Sequence, residues 1–294
     1  MSEYVRSPLN YIGGKYRLLP QILPLFPRKI NTFVDLFCGG CNVGINVSAR
    51  RVIFNDILSH LIDLYVALQE NHVQTVLQFI ERRIETYDLS LTNEAGYKDL
   101  RDTYNRDRNP LDLFVLVAYS FNHQIRFNNS HEFNNPFGRE RSHYNESMKR
   151  NLLQFIERIQ SDNMSFTCND YNKFDFSILG EGDFVYCDPP YLITTGTYND
   201  GKRGFTGWSE REEKRLYEIL DDLTRTGISF ALSNVLIHKG KENGILKSWI
   251  ARNGYVVHYM NNNYANSNYH TKNRQKTSTI EVVVTNYTLG NDAI

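Results

Sequence analysis

The sequence predicts a doubly wound α/β protein with a mostly parallel sheet, and three observations support this fold class. Seven short segments rich in β-branched and aromatic residues are almost continuously apolar, as buried parallel strands are. Amphipathic segments with helical spacing separate most of them, which indicates helices on both faces of a sheet. The alternation is interrupted once, between the second and third strands, by about 110 residues.

The predicted strands extend over most of the chain and are Thr32–Phe37, Arg51–Asn55, Ser165–Cys168, Asp183–Cys187, Ile228–Ser233, Tyr255–Met260 and Thr279–Thr285. Helices are predicted at Tyr16–Leu25, Asn42–Ala49, Ser209–Thr226 and Lys241–Arg252. Because only a polar loop joins the last two strands, we expect them to pair antiparallel. The predicted sheet then has seven strands, one of them antiparallel to the rest.

The long interruption predicts an inserted, mainly helical subdomain, because a crossover needs far fewer residues. It begins with a helical pattern over Leu58–Tyr87, continues through Pro110–Phe121 and closes with a helix from Asn145 to about Ser161. We therefore expect two units. Residues 1–57 and 165–294 form the domain that contains the sheet, and residues 58–164 form the insertion.

The composition excludes several classes of protein. Hydrophobic residues make up 41% and charged residues 22%, which is enough apolar material for a core and excludes wholesale disorder. No apolar run is long enough to span a membrane, and the N-terminus lacks the apolar stretch of a signal peptide. The four cysteines are too scattered for a disulfide framework. We expect a soluble globular protein of the cytoplasm.

The charge is balanced overall but segregated along the chain. Residues 1–31 hold five basic residues against Glu3, and residues 252–280 hold four basic residues and no acid. Such segregation favours a polyanionic partner, whereas ordinary solvated faces are the alternative interpretation.

The strongest chemical signal is Asp188-Pro189-Pro190-Tyr191, directly after the predicted strand Asp183–Cys187. Ligands of open α/β sheets bind at the carboxyl ends of strands, and the two prolines fix the backbone there and remove two N–H donors. A carboxylate, a fixed carbonyl and an aromatic ring suit a planar group that bears an NH2. Asp188 and the Pro189 carbonyl accept its hydrogens, which localises the nitrogen lone pair, and Tyr191 stacks on its ring. A plain Asp-Pro turn is the alternative.

A second signal follows the first strand, where Asp35-Leu36-Phe37-Cys38-Gly39-Gly40 forms a glycine-rich turn. Such a turn lets a ligand approach the backbone closely. Asp56 closes the second strand, where an acid typically accepts hydrogen bonds from ribose hydroxyls. The turn does not match G-x-G-x-x-G, so a dinucleotide fingerprint is a poor fit. Together these residues predict a nucleoside cofactor without a pyrophosphate.

Within the insertion, residues 121–138 are rich in Asn and Phe and contain Arg126. This composition suits neither a core strand nor a stable helix, and it predicts a surface loop or hairpin. Amides and guanidinium groups are the side chains that read base edges in DNA. A purely structural cluster of turns is the alternative.

Several motifs, taken together, resemble those of the Dam-like α group of DNA adenine-N6 methyltransferases. The matching segments are Asn10-Tyr11-Ile12-Gly13-Gly14-Lys15, Asp35–Gly40, Asn169-Asp170-Tyr171, Asp188–Tyr191, Arg126-Phe127-Asn128, Phe133–Gly138 and the final strand Glu281–Tyr287. They cover nearly the whole chain in the family's order. The resemblance implies a Rossmann-like methyltransferase fold with a seven-stranded sheet, S-adenosyl-L-methionine as cofactor, and a DNA target-recognition subdomain at residues 58–164.

The resemblance also implies roles for individual residues. The cofactor-binding residues are Tyr11, Lys15, Asp35, Phe37, Cys38, Gly39, Gly40, Asp56, Asp170 and Tyr171. Lys15 lies near the carboxylate of the cofactor's methionine part, Asp35 and the Gly turn hold that part, and Asp56 holds the ribose. Asp170 accepts from the cofactor's adenine amino group and Tyr171 packs on the ring. The chain departs from the family pattern in having Tyr171 where Phe is common, and adjacent glycines where many relatives have Gly-x-Gly.

The catalytic residues implied are Asp188, Pro189, Pro190 and Tyr191, and the DNA-binding residues are Arg126, Asn128, Asn134, Lys272, Arg274 and Lys276. The last three lie in the polar segment 261–277 and are expected to hold phosphates, unless that segment is only a surface hairpin. The Gly-rich segment 194–208 is expected to close over a flipped base, and Ser233-Asn234 to border the same cleft. No metal is expected, because Cys38-x-x-Cys41 lacks a second pair.

The expected activity is transfer of a methyl group to N6 of an adenine flipped out of a short duplex sequence. The enzyme would belong to a restriction–modification system, without a stable complex with the endonuclease, or would act alone. Two alternatives stay open: a cytosine-N4 methyltransferase, although that motif usually begins with Ser, and a DNA-binding protein that keeps the fold without catalysis. Protein glutamine methylation, which favours Asn at position 188, is a minor alternative. A cytosine-C5 enzyme is excluded because the chain contains no Pro-Cys.

Overall fold

The computed structural model describes residues 4–194, 208–261 and 279–288. Its sheet is formed by β1 Thr32–Asp35, β2 Arg51–Asn55, β3 Met164–Thr167, β4 Phe184–Cys187, β5 Ser229–His238, β6 Lys241–Glu242, β7 Val256–Tyr259 and β8 Thr279–Thr285. The strand order is β3-β2-β1-β4-β5-β8-β7, and β6 pairs with β5. Strands β1 to β5 pair with one another in parallel, and β8 is antiparallel to both β5 and β7. The predicted mostly parallel sheet with one antiparallel strand is confirmed, and the short β6 is an addition to it.

The helices are α1 Leu19–Ile22, α2 Ser59–Glu70, α3 Val73–Thr86, α4 Glu94–Asp107, α5 Pro110–Tyr119, α6 Glu146–Ile159, α7 Glu210–Arg225 and α8 Gly244–Asn253. Helices α2 to α6 lie between β2 and β3 in the chain, within the segment where a helical insertion was predicted. None of the helices in the described ranges combines the length and the apolar character that a bilayer span needs.

The predicted helix Asn42–Ala49 is wrong, since only a 3-10 turn forms at Gly44–Asn46. The Asn side chains of this segment hold the N-terminal residues instead: the Asn42 Oδ1 accepts from the Ser7 amide at 3.1 Å and the Asn46 Oδ1 from the Val5 amide at 2.8 Å. Side chains that bond to other parts of the backbone compete with a helix.

Three other predicted helices have different bounds. Two prolines divide Tyr16–Leu25 into two 3-10 turns around the single turn α1, because each proline removes a helical N–H donor. The pattern Leu58–Tyr87 forms two helices that are separated at an extended Asn71. The last helix begins at Gly244, since the Asn243 side chain caps it, and Lys241–Glu242 belongs to the sheet.

Alternate side chains of the strands form two cores on the two faces of the sheet. On one face, residues such as Phe33, Phe54 and Phe184 join a cluster that continues into helices α2 to α6. On the other face, Val34 and Val185 pack with helices α7 and α8. The boundaries of the two predicted units stay a prediction. What the fold determines is the crevice at the carboxyl ends of β1 and β4, where the strand order reverses and where ligands of such sheets bind.

Candidate active site

The candidate site lies at the carboxyl ends of β1 and β4. The two strands pair in parallel, with Asp35 opposite Tyr186. Asp35, the last residue of β1, therefore lies beside the Asp188 motif, which directly follows β4. Of the two prolines, Pro189 is buried and Pro190 is exposed. The sheet therefore brings together two of the acids that the sequence singled out.

Asp188 is held by two side chains. The Lys15 ammonium lies 2.9 Å from its Oδ2, and the Tyr191 hydroxyl donates to its Oδ1 at 2.8 Å. The ammonium also donates to the Gly13 carbonyl at 2.8 Å and lies 5.1 Å from the centre of the Tyr191 ring. Burial raises the pKa of Asp188, whereas the Lys15 charge and the two hydrogen bonds oppose that shift. Lys15 thus bonds to the motif that was predicted to bind the target base.

Glu281 is a site residue that the sequence reasoning missed. The Tyr191 hydroxyl lies 3.1 Å from its Oε1, and the Lys15 ammonium lies 3.5 Å from the same atom. Glu281 is buried, with 7% of its surface exposed. The signal was present in the sequence, since Glu281 is the one charged residue of the strand Thr279–Thr285 and ionised acids are rarely buried without partners.

The glycine turn is tied to β2 and to a helix behind it. The Cys38 amide donates to the Asn55 carbonyl at 2.8 Å, and the Gly39 amide donates to the Asp56 Oδ2 at 2.9 Å. The Tyr65 hydroxyl donates to the Gly39 carbonyl at 2.7 Å. Burial raises the pKa of the Cys38 thiol well above its usual range, as expected of an inert packing residue.

Tyr11 lies against this turn. Gly39 has a φ of +44°, and a Cβ at that position would lie 2.9 Å from the Tyr11 ring. A Cβ at Gly40 would lie 3.1 Å from the Tyr11 Cβ. Both predicted glycines are therefore needed for close packing between the turn and Tyr11.

Asp35 is a buried acid in the floor of the crevice. Its Oδ2 accepts from the Gly44 amide at 3.0 Å. Burial raises the pKa of Asp35 to about 7, the Gly44 bond opposes the shift, and the negative charges of Asp188 and Asp56 add to it. A buried carboxyl with negative neighbours favours a cation beside it.

Tyr171, which the resemblance places against the cofactor's adenine ring, belongs to an aromatic cluster with Phe37 and Trp208. The Phe37 and Tyr171 rings are 5.4 Å apart, and the Trp208 ring lies 5.8 Å from the first and 5.5 Å from the second. The Tyr171 hydroxyl donates to the Glu212 Oε2 at 2.8 Å. Asp170 caps the adjoining turn, with its Oδ1 accepting from the Asn172 amide at 3.0 Å. Trp208 was not singled out as a cofactor residue.

Residues 120–138 form a hairpin, with antiparallel bridges between Ser120 and Phe137 and between Phe127 and Phe133. Asn128 closes its tip: its Oδ1 accepts from the amides of Ser130 and Glu132, each at 2.9 Å. The composition predicted a surface loop or a hairpin here, and the structure has the hairpin.

The other predicted DNA-binding residues have different surroundings. The Arg126 carbonyl accepts from the Asn134 amide at 2.9 Å, so both residues take part in the hairpin. The Asn134 Oδ1 is buried and has no hydrogen-bond partner in the described part of the chain. Lys272, Arg274 and Lys276 lie outside the described residues, as does nearly all of the segment predicted to close over the base.

One hydrogen bond joins the hairpin to the N-terminal motif of the site. The Asn10 Nδ2 donates to the Asn122 carbonyl at 3.0 Å.

Ser233 and Asn234, which were predicted to border the cleft, have different partners. The Ser233 and Tyr186 hydroxyls lie 2.8 Å apart. Asn234 bonds instead to the buried Glu213, at 3.0 Å. Among the described residues, no group of three or more His, Cys, Asp or Glu side chains is arranged to hold a metal ion.

The sheet topology and the crevice define a Rossmann-like methyltransferase fold. Over residues 11–280 the sequence matches the family model described as D12 class N6 adenine-specific DNA methyltransferase. The chain belongs to this family, which confirms the resemblance drawn from its motifs.

Three curated relatives illustrate the likeness. The chain is 50% identical to the type II methyltransferase M.FokI of Planomicrobium okeanokoites, over 98% of this chain and 44% of that protein. It is 52% identical to the modification methylase StsI of Streptococcus sanguinis, over 97% and 43%. It is 32% identical to the DNA adenine methylase of Salmonella typhi, over 78% of this chain and 80% of that protein. The chain thus spans less than half the length of the first two relatives.

Proposed function

We propose that this chain transfers a methyl group from S-adenosyl-L-methionine to N6 of an adenine that is flipped out of duplex DNA. The observation that carries the proposal is Asp188, fixed after β4 by Lys15 and Tyr191 and facing Asp35 at the end of β1. Membership of an adenine-specific family supports the choice of base. A cytosine-N4 substrate would use the same amino chemistry and is an outcome of the test below.

The residues of the crevice fit the cofactor. A buried carboxyl at Asp35, whose pKa is near 7, suits a neighbouring cation such as an amino or sulfonium group. The turn at Gly39 and Gly40 packs closely against Tyr11, a second residue that we propose to line the cofactor pocket. The rings of Phe37 and Tyr171 supply an apolar surface for a nucleoside base. We propose that Asp56 holds the ribose, as an acid at the end of β2 does in related folds.

The bound cofactor supplies an electrophilic methyl group on a positively charged sulfur. The chain's own residues hold and activate the acceptor. We propose that the Asp188 carboxylate and the Pro189 carbonyl each accept a hydrogen bond from the N6 amino group. These two hydrogen bonds localise the lone pair on the nitrogen. Because Asp188 and Tyr191 are fixed by mutual hydrogen bonding, they need little reorganisation when the base enters. Positioning of two reactants is worth a large share of the barrier in such a transfer.

For the DNA, we propose that the hairpin of residues 120–138 reads base edges and that Lys272, Arg274 and Lys276 contact phosphates. Arg126 and Asn134 carry guanidinium and amide groups of the kind that read bases, whereas the Asn128 side chain holds the tip of the hairpin that presents them. Phosphate contacts would make the affinity fall steeply with salt. The relatives named as a type II methyltransferase and a modification methylase lead us to propose a role in restriction–modification, with no stable endonuclease complex.

The test is methyl transfer from labelled S-adenosyl-L-methionine to unmethylated genomic DNA, followed by sequencing that reports modified bases. Asp188→Ala is the inactive control, since it removes the carboxylate that accepts from the amino group. Methylation of adenine N6 within one short sequence is the expected result. Label on cytosine N4 would keep the chemistry and correct the base. Binding of cofactor and DNA without transfer would replace the proposal with a non-catalytic DNA-binding function.

A further inference from the structure

Behind Asp188 lies a second buried carboxylate, that of Glu281 on β8. The Tyr191 hydroxyl lies between the two acids, 2.8 Å from the Asp188 Oδ1 and 3.1 Å from the Glu281 Oε1. A hydroxyl has one hydrogen, so it donates to only one of the two carboxylates at a time. The two acids therefore compete for Tyr191.

The acids also share the Lys15 ammonium, whose Nζ lies 2.9 Å from the Asp188 Oδ2 and 3.5 Å from the Glu281 Oε1. With both acids ionised, the two carboxylates and this ammonium carry one net negative charge. Lys15 and Glu281 are 6% and 7% exposed, so solvent screens this charge poorly. A change at Glu281 must be transmitted to Asp188 through the two shared donors.

We propose that Glu281 is a positioning residue of the methyl-transfer site, which keeps Lys15 and Tyr191 from neutralising Asp188 completely and so preserves its capacity to accept hydrogens from an exocyclic amino group. The inference rests on the proposed function and extends it to a residue on a different strand. Glu281 acts through Tyr191 and Lys15. If its charge is removed, both donors pass to Asp188, which becomes a weaker acceptor for the base.

The electrostatics agree with this geometry. The charge of Glu281 raises the pKa of Asp188, while the Lys15 charge lowers it. Besides Glu281, Lys15 and Tyr191, the titratable groups that interact with Asp188 include Asp35 on β1 and Tyr186 and Cys187 on β4. Because these stay in place in a Glu281 variant, a shift in the pKa of Asp188 reports on Glu281 itself.

The experiment measures the pKa of Asp188 in the cofactor-free protein, by NMR of 13C-labelled aspartate carboxyls, with Asp188→Asn as the assignment control. Glu281→Gln keeps the shape of the side chain and removes its charge, and we expect the pKa of Asp188 to fall by about one unit. Under saturating conditions kcat falls by roughly 10-fold or more, and the acid limb of its pH profile moves to lower pH. The dissociation constant for DNA stays unchanged.

Two further variants separate this coupling from a structural role. Glu281→Asp keeps the charge at a shorter reach, so the pKa of Asp188 stays closer to the wild-type value than in Glu281→Gln. Asp112→Asn also removes a buried carboxylate, one that pairs with Arg83 at 2.8 Å, and should leave the pKa of Asp188 unchanged.

An Asp188 titration in Glu281→Gln that superimposes on the wild type would overturn the inference. So would an equal shift in Asp112→Asn, because the effect would then be general to buried charge. A wild-type protein that transfers no methyl group while the Asp188 shift is observed would instead count against the proposed function and leave the coupling intact. The NMR and the activity measurements therefore fail separately.

Discussion

At the end of β4, Asp188 forms an ion pair with Lys15, which is close to the N-terminal end of the sequence. The Tyr191 hydroxyl connects Asp188 to Glu281, which is close to the C-terminal end. In the hairpin of residues 120–138, by contrast, Asn128 bonds to amides only two and four residues away. One region is assembled by the sheet. The other is built on the insertion, where the Asn105 side chain on α4 bonds to the Phe133 backbone and the Tyr97 hydroxyl donates to the Asn135 carbonyl. The first changes only if the sheet changes, whereas the second depends on α4 of the insertion and not on the strand ends.

This difference suits the two proposed tasks. Methyl transfer needs groups that are fixed before the substrate arrives, and a network with contacts from three parts of the chain supplies that. Recognition of a short DNA sequence is a property of side chains that face outward from a local scaffold. The hydrogen bond from Asn10 to the Asn122 carbonyl is one place where the two regions meet.

The largest effect is expected for Asp188→Asn. The amide keeps the size of the side chain but replaces one acceptor oxygen with a donor and leaves Lys15 beside an uncharged partner. We expect methyl transfer to fall by about 1,000-fold, because the amino group loses a preorganised acceptor. DNA binding at the hairpin should not change, which an electrophoretic shift assay checks. A parallel loss of DNA binding would show that the two regions are not separable.

The next effect is expected for Gly39→Ala, with Gly254→Ala as the matched control. Both glycines have a positive φ, but a Cβ at Gly39 meets the Tyr11 ring at 2.9 Å, whereas a Cβ at Gly254 meets nothing within 4 Å. Backbone strain lowers the stability of both variants by about 1 kcal/mol. Only Gly39→Ala should also weaken binding of S-adenosyl-L-methionine, measured by calorimetry. Equal affinities for the cofactor would show that Tyr11 adapts to the turn.

The same comparison explains how far the sequence predicted the structure. The mostly parallel sheet, the antiparallel pairing of the last two strands and the positions of Asp35 and Asp188 at strand ends followed from apolar runs and from the rule that ligands bind there. The contact between Lys15 and Asp188 did not follow, because the two residues are far apart in sequence and no local pattern encodes their approach. Glu281 was missed because its strand was interpreted by its apolar residues alone.

Bonds made by amide side chains also explain the wrong helix at Asn42–Ala49 and what composition left undecided in the hairpin. The segment Asn42–Ala49 has the composition of a short helix, yet Asn42 and Asn46 hold residues 5 to 7 of the chain, a long-range role that propensity cannot show. In the hairpin, composition indicated turn-forming amides, but it could not tell amides that hold the turn, such as Asn128, from those that are available to DNA.

A pair of hairpin variants tests this distinction. We expect Arg126→Ala to lower DNA affinity by about 1 to 3 kcal/mol and to relax the sequence preference, as the loss of a base contact does. Asn128→Ala should instead speed hydrogen exchange at the amides of Ser130 and Glu132, since each loses its acceptor. Exchange rates that stay at the wild-type value would mean that Asn128 does not support the tip.

The smallest effect concerns the pH dependence of stability at Asp35, which lies in the preorganised region. Its pKa is raised from 3.8 to about 7 by burial, so between these pH values the folded chain holds a proton that the unfolded chain releases. Stability from this group is therefore present below pH 3.8 and is lost as the pH rises to about 7. Asp35→Asn cannot titrate, and the Asn Oδ1 can still accept from the Gly44 amide.

We therefore expect the melting temperature of Asp35→Asn, relative to the wild type, to increase between pH 5 and pH 8 by about 2 °C or more. Asp107→Asn is the control, because the pKa of this exposed acid is lowered by Arg106 and its variant gains nothing over the same range. The stabilised Asp35→Asn protein should bind S-adenosyl-L-methionine more weakly, since it lacks the negative charge that favours a cation. A site that gains stability when it loses a buried negative charge is one in which a bound cation would stabilise that charge. If both stability and affinity were unchanged at pH 8, Asp35 would be an ordinary ionised acid and the crevice would not be preorganised for a cation.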